Sequence, residues 1–244
     1  MAVTLVAAAC SIVYELLAAQ TLASLAANTV VWYSVVIGTY LGGMGLGAFH
    51  CRDRYGPDAD AWRALLGTEL RLCLAGALVV PAIHVGHMLH GYLEAQAFPR
   101  LAGVAFFGGA FAVTGVVGFL TGIELPLLMR IGAKETDDPA AENVILGVDY
   151  VGSLLGALAF PLFLLPRFDL LSIGAFAAVL NLAVAAYVLQ RELRREQPAG
   201  VPMAAALALV AGLGVLLVAG PRIEQYFLRK YYYYPHASRS LSAL

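Results

Sequence analysis

Long apolar runs separated by short polar breaks set the pattern of this chain. Seven runs stand out, at 3–26, 30–50, 65–92, 101–128, 144–166, 170–190 and 202–220. Each holds about twenty residues or somewhat more, the length a helix needs to cross about 30 Å of hydrocarbon. They are continuous and rich in Leu, Ala and Val, without the ten-residue alternation of barrel strands, so they predict helices. The breaks carry helix-ending chemistry. "CRDRYGPDADAWR" joins Gly-Pro to a cluster of charges, and "GAKETDDPAAEN" is an acidic turn whose Asn143 is a candidate cap for the fifth helix. "PRFD" and "RELRREQPAG" close the fifth and sixth helices, while only Asn28 and Thr29 interrupt the chain between the first two. The predicted fold is an all-α bundle of about seven transmembrane helices over residues 1–220. An interfacial tail follows at 221–244, where "YYYY" beside Arg and Lys suits the headgroup region.

Composition agrees with a bilayer as solvent. Of 244 residues, 61% are hydrophobic and 13% charged, against about 45–50% and about 25% in an average soluble domain. The first run starts at Ala2 without a basic segment before it and continues past Glu15, so it reads as a spanning helix and not a cleaved leader. A net charge of −1 and the lack of a basic stripe give nucleic acid no footing. Cys10, Cys51 and Cys73 show no paired spacing and read as small hydrophobes. Seven spans put Arg52, Arg54, Arg63, Arg130, Lys134, Arg191, Arg194 and Arg195 on the N-terminal side, and only Arg100 and Arg167 in the opposite loops. The short loops therefore favour a cytoplasmic N-terminus, with the tail's Arg222, Arg229, Lys230 and Arg239 weighing the other way.

Glycines at four-residue spacing predict close helix contacts: Gly38/Gly42 and Gly43/Gly47 in the second run, Gly118/Gly122 in the fourth and Gly152/Gly156 in the fifth. "GGMGLG" has the look of a dinucleotide loop, but no strand precedes it and it lies inside a spanning run.

Candidate chemistry lies in the charges within the runs: Glu15, Glu69, Arg71, Glu124 and Asp149. In a seven-helix layout Glu69, Arg71, Glu124 and Asp149 fall near helix ends on the N-terminal side, with Glu15 deeper. Four carboxylates and one guanidinium are thus expected to line one polar pocket, with Arg71 partly neutralising Glu69, Glu124 and Asp149. One reading makes them structural, as ion pairs and hydrogen-bonding glue. The other makes them a site for an organic cation or for protons. Pro126 frees a carbonyl near Gly122 that could join such a site. His84, His87 and His90, three residues apart on the third helix, are weak metal or haem candidates with no further ligand motif and at the opposite end from the acids. No metal and no cofactor is expected.

"YELLAAQTLASLAANTVVWYSVVIGTYLGGMGLGAF", "GIELPLLMR" and "LGVDYVGSLLGALAFPLFLLPRFDLL" together resemble the N-terminal membrane domain of membrane-bound spermidine-synthase-like proteins, over most of residues 10–190. In that family the membrane domain precedes a Rossmann-like aminopropyltransferase domain, and the resemblance makes Glu15, Glu124 and Asp149 motif residues. The glycine-rich loop and acidic residues of the transferase do not occur in this chain, so no aminopropyl transfer is expected from it alone. The resemblance implies a non-catalytic module of a bacterial inner membrane that recognises or passes a polyamine. The alternative is a structural or accessory subunit that anchors partner subunits of a larger complex.

Overall fold

The computed structural model describes residues 1–26, 29–55, 60–96, 98–136 and 140–193, with short stretches between 211 and 229. Among these every regular element is a helix: α1 Ala2–Leu25, α2 Thr29–Arg54, α3 Ala61–Ala95, α4 Pro99–Thr136, α5 Ala141–Ala159 and α6 Leu170–Leu193. A π-helical turn, Phe160–Leu164, extends α5. Six of the described helices are long and apolar enough to cross a membrane. The expected seventh run, 202–220, and the tail, 221–244, lie largely outside the described residues. Within that run residues 211–215 are helical, and Leu213 packs with Cys73, Ala77 and Ala178.

Helix ends follow local chemistry more than hydropathy. Asp60 caps α3 by accepting from the backbone N–H of Trp62 at 3.1 Å, which starts the helix four residues before the predicted run. Asp169 caps α6, accepting from the Ser172 N–H at 2.9 Å and the Ser172 hydroxyl at 2.6 Å. α4 continues to Thr136, well past the predicted end, because "MRIGAKET" contains mostly helix-compatible residues beyond the apolar run. Asn143 is not a cap: α5 begins at Ala141, after Ala140, which makes no side-chain capping bond. Pro81 and Pro126 sit inside α3 and α4.

Two pairs of helices are clamped by glycine. A Cβ on Gly43 would lie 2.5 Å from the Gly115 carbonyl oxygen, and one on Gly47 would strike the backbone of Phe119. Gly118 and Gly122 meet the backbone of Tyr40 and Met44 in return. Contacts that advance together along both helices make α2 and α4 parallel. The same holds for α5 and α1, where a Cβ on Gly152 would lie 2.5 Å from the Leu5 oxygen and one on Gly156 2.6 Å from the Ala9 oxygen. Gly38 and Gly42 do not share this role: each is exposed and meets nothing within 4 Å, because the seam runs along the neighbouring face of α2. α3 and α6 run antiparallel, with the Cys73 thiol against the Ala178 carbonyl (3.1 Å) and Gly174 beside Gly76.

α1 is the axis of the bundle and touches every other described helix. Tyr14, Leu17 and Leu22 are almost wholly buried on it. At one end of the bundle the ends of α2, α3, α4 and α6 meet. Arg130 of α4 donates to the Tyr55 carbonyl just after α2, Arg191 of α6 pairs with Glu135 of α4, and the Arg191 guanidinium lies 4.6 Å from the centre of the Trp62 ring on α3.

Candidate functional site: an acidic cavity between two clamped helix pairs

Between the α2–α4 pair and the α1–α5 pair lies a cavity of about 190 Å³. Three carboxyl-bearing side chains from three helices reach it: Glu15 from α1, Glu124 from α4 and Asp149 from α5. Glu15 and Glu124 are buried and Asp149 is half-buried. The polar wall also includes Ser11, Tyr40, Thr121 and Ser153, and none of the lining residues is cationic. The volume is below the about 300–1,000 Å³ of drug-sized sites.

Hydrogen bonds hold the wall in place. The Ser11 hydroxyl donates to Glu124 Oε2 at 3.3 Å. The Tyr40 hydroxyl donates to the Ser11 carbonyl at 3.0 Å and lies 3.0 Å from the Thr121 hydroxyl. Helices α1, α2 and α4 are thereby tied together directly behind Glu124. Three of the four polar lining groups named above that were not singled out in the sequence share one signature. Ser11 precedes Glu15 by four residues, Thr121 precedes Glu124 by three and Ser153 follows Asp149 by four, each on the same helix face as its acid. Tyr40 has no such local signal and is placed by the α2–α4 seam.

Two expected members of the pocket are elsewhere. Glu69 does not line the cavity; it is wholly buried behind Glu124, and the two carboxyl groups interact directly. Arg71 is exposed and does not line the cavity, and none of the ion pairs among the described residues joins it to these acids. Two residues along a helix turn a side chain by about 200°, so α3 cannot present Glu69 and Arg71 to one site. Arg71 instead heads the outward stripe that continues through Leu74, Leu78 and Val85. The depths also differ from expectation. With α3 starting at Ala61 and α4 ending at Thr136, Glu69 and Glu124 lie about 12 Å and about 18 Å inside their helix ends at 1.5 Å per residue.

The histidines are at the far end of α3. His84 Nδ1 lies 2.9 Å from the Val80 carbonyl. His87 and His90 meet the Phe106 ring edge-on, with centroids at 5.3 and 5.7 Å. Among the described residues no group of three potential ligands converges on a metal position.

Comparison with known proteins gives polyamine aminopropyltransferases among its relatives. The chain is 31% identical over 182 residues to a polyamine aminopropyltransferase of Leptospira interrogans, covering 74% of this chain and 33% of that protein. It is 33% identical over 226 residues to polyamine aminopropyltransferase 1 of Streptomyces coelicolor, covering 89% and 39%. A polyamine aminopropyltransferase of Mycobacterium tuberculosis is 31% identical over 217 residues, covering 86% and 38%. The chain thus spans between a third and two fifths of the length of these relatives. No family model and no solved structure matches it. Over most of its length the chain is homologous to a part of the polyamine aminopropyltransferases.

Proposed function

We propose that this chain is the membrane-spanning module of a spermidine-synthase-like protein and that its acidic cavity takes up a cationic amine of the polyamine class. The observation that carries the reading is the convergence of Glu15, Glu124 and Asp149 from three separate helices on one narrow cavity with no cationic side chain in its wall. Carboxyl groups inside an apolar bundle are costly. A ligand with positive charges spaced along a thin alkyl chain offsets that cost and fits the volume. The relatives' names supply the polyamine class.

In this reading the six described helices, with a seventh from the 202–220 run, lie in the inner membrane of a bacterium. The end of the bundle where Arg130 and Arg191 meet the α2–α3 region then faces the cytoplasm, the side that the basic short loops favour. The site residues Glu15, Glu124 and Asp149 act as ligands, and aminopropyl transfer belongs to other parts of such proteins.

Isothermal titration of the purified protein with spermidine, beside Asp149→Asn, tests the proposal. Asn keeps the volume and removes the charge, so affinity should fall about tenfold or more, about 1.4 kcal/mol. If the carboxyl groups serve only as interhelical glue, the wild type binds no spermidine and the substitution changes thermal stability alone.

A further inference from the structure

Behind the cavity the wholly buried Glu69 faces Glu124, itself 3% exposed. Of their four carboxyl oxygens only Glu124 Oε2 receives a hydrogen bond, from Ser11. Glu69 Oε1, Glu69 Oε2 and Glu124 Oε1 are buried without a donor. The titratable groups facing the pair are Cys10 and Tyr14 from α1 and Cys73 from α3. Tyr40 from α2 and Asp149 from α5 approach on the Glu124 side, with Glu15 across the cavity. From α6, Asn181 is the buried polar residue, and it stands at the level of Glu69 in the antiparallel α3–α6 register. No lysine, arginine or histidine is among these groups.

Two ionised carboxylates cannot share such a site. Each has only acceptors, they repel, and beyond the Ser11 hydroxyl no donor or cationic side chain among the described residues bonds them to replace their hydration. One proton changes the balance. It turns one carboxyl into a donor and leaves the other as acceptor, an O–H···O⁻ bond of the strong, charge-assisted kind. We infer that Glu69 and Glu124 share one proton, and that a cation reaching the Glu124 end of the cavity displaces it. The first half stands on the buried, donorless oxygens; the second rests on the cation reading above. In the exchange the O–H bond breaks, the proton leaves through the cavity, and one ammonium group of the cation takes its place, so the net charge at the Glu69–Glu124 pair is unchanged while the remaining ammonium groups face Glu15 and Asp149. Glu69 is then a proton-holding partner of Glu124 and not a ligand.

Infrared spectroscopy of the full chain in nanodiscs tests this directly. Without ligand the wild type should show a carboxylic-acid C=O band that is lost in Glu69→Gln, whose amide supplies the donor instead. Spermidine should bleach the wild-type band and release up to one proton for each spermidine bound, and it should release none from Glu69→Gln. If Glu69→Gln does not accumulate as folded protein, carboxyl-¹³C glutamate in the wild type identifies the band by its isotope shift. Absence of a glutamic-acid band, or spermidine binding with the band unchanged, overturns the inference. A band that depends on Glu69 in a protein that binds no spermidine upholds the shared proton and removes the cation reading, so the two failures are distinct.

Discussion

The glycine seams and the acidic cavity sit side by side and solve opposite problems. Along α2–α4 and α1–α5, glycines let backbone meet backbone: Gly47 lies against Phe119, Gly122 against Met44, and Gly152 against Leu5. No space is left there for a ligand, and dispersion contacts and close packing stabilise the pairs. Between the pairs, where α1 and α5 face α2 and α4, side chains are larger and polar, and Ser11, Glu15, Thr121, Glu124 and Asp149 border a cavity. The seams act as rigid walls that hold the acids apart by geometry and not by mutual attraction. Substitutions in the seams should therefore act on folding, and those in the cavity on ligand.

The largest effect is expected at Gly47→Leu or Gly122→Leu. A Cβ at either position already strikes the opposing backbone, which has no flexible end to yield. Overpacking should cost on the order of 3 kcal/mol or more, seen as loss of folded protein in a detergent thermal-melt assay. A stable Leu variant would show that the seam opens. Next comes Glu69→Ala, which removes the partner of Glu124 and leaves a void. It should destabilise by about 1–3 kcal/mol, while Glu69→Gln stays close to wild type in the same melts. Equal losses in the two variants would mean that volume, and not the hydrogen bond, is what matters.

Asp149→Asn should come third on this scale, shifting spermidine affinity about tenfold with little change in melting temperature. The smallest effect belongs to Gly42→Leu. Although Gly42 is spaced four residues from Gly38, it faces outward into open space, so stability should change by no more than about 0.5 kcal/mol. A large loss there would reveal a packing partner on the outer face of α2.

Much of this arrangement is legible in the sequence. Hydropathy locates the six helices because each is apolar over a long continuous stretch, and glycine spacing points to Gly43/Gly47, Gly118/Gly122 and Gly152/Gly156, which lie at the close helix contacts. Spacing alone does not say which face the seam uses, and Gly38/Gly42 carry the same motif on the wrong side of α2. Charges within the runs lead to Glu15, Glu124 and Asp149, but Arg71 shows the limit of arguing from depth. It lies one turn or less from Glu69 along α3, yet the 100° step per residue turns it away. Glu69 is hidden from the cavity for a related reason: the α3–α4 packing places it behind Glu124, which no local pattern encodes. Helix ends are less legible: Asp60 starts α3 four residues before its apolar run, the expected Asn143 cap is not used, and α4 outruns its hydropathy because the end of an apolar run is not the end of a helix.

The central claim is that Glu15, Glu124 and Asp149 form one cation site. Equilibrium binding of labelled spermidine tests it most directly, with the wild type and the Glu15→Gln/Glu124→Gln/Asp149→Asn variant in nanodiscs of zwitterionic lipid, so that the bilayer itself retains no cation. Saturable binding to the wild type, competed by unlabelled spermidine and abolished in the folded triple variant, is the predicted result. Equal binding to both proteins, or none to either, contradicts the account.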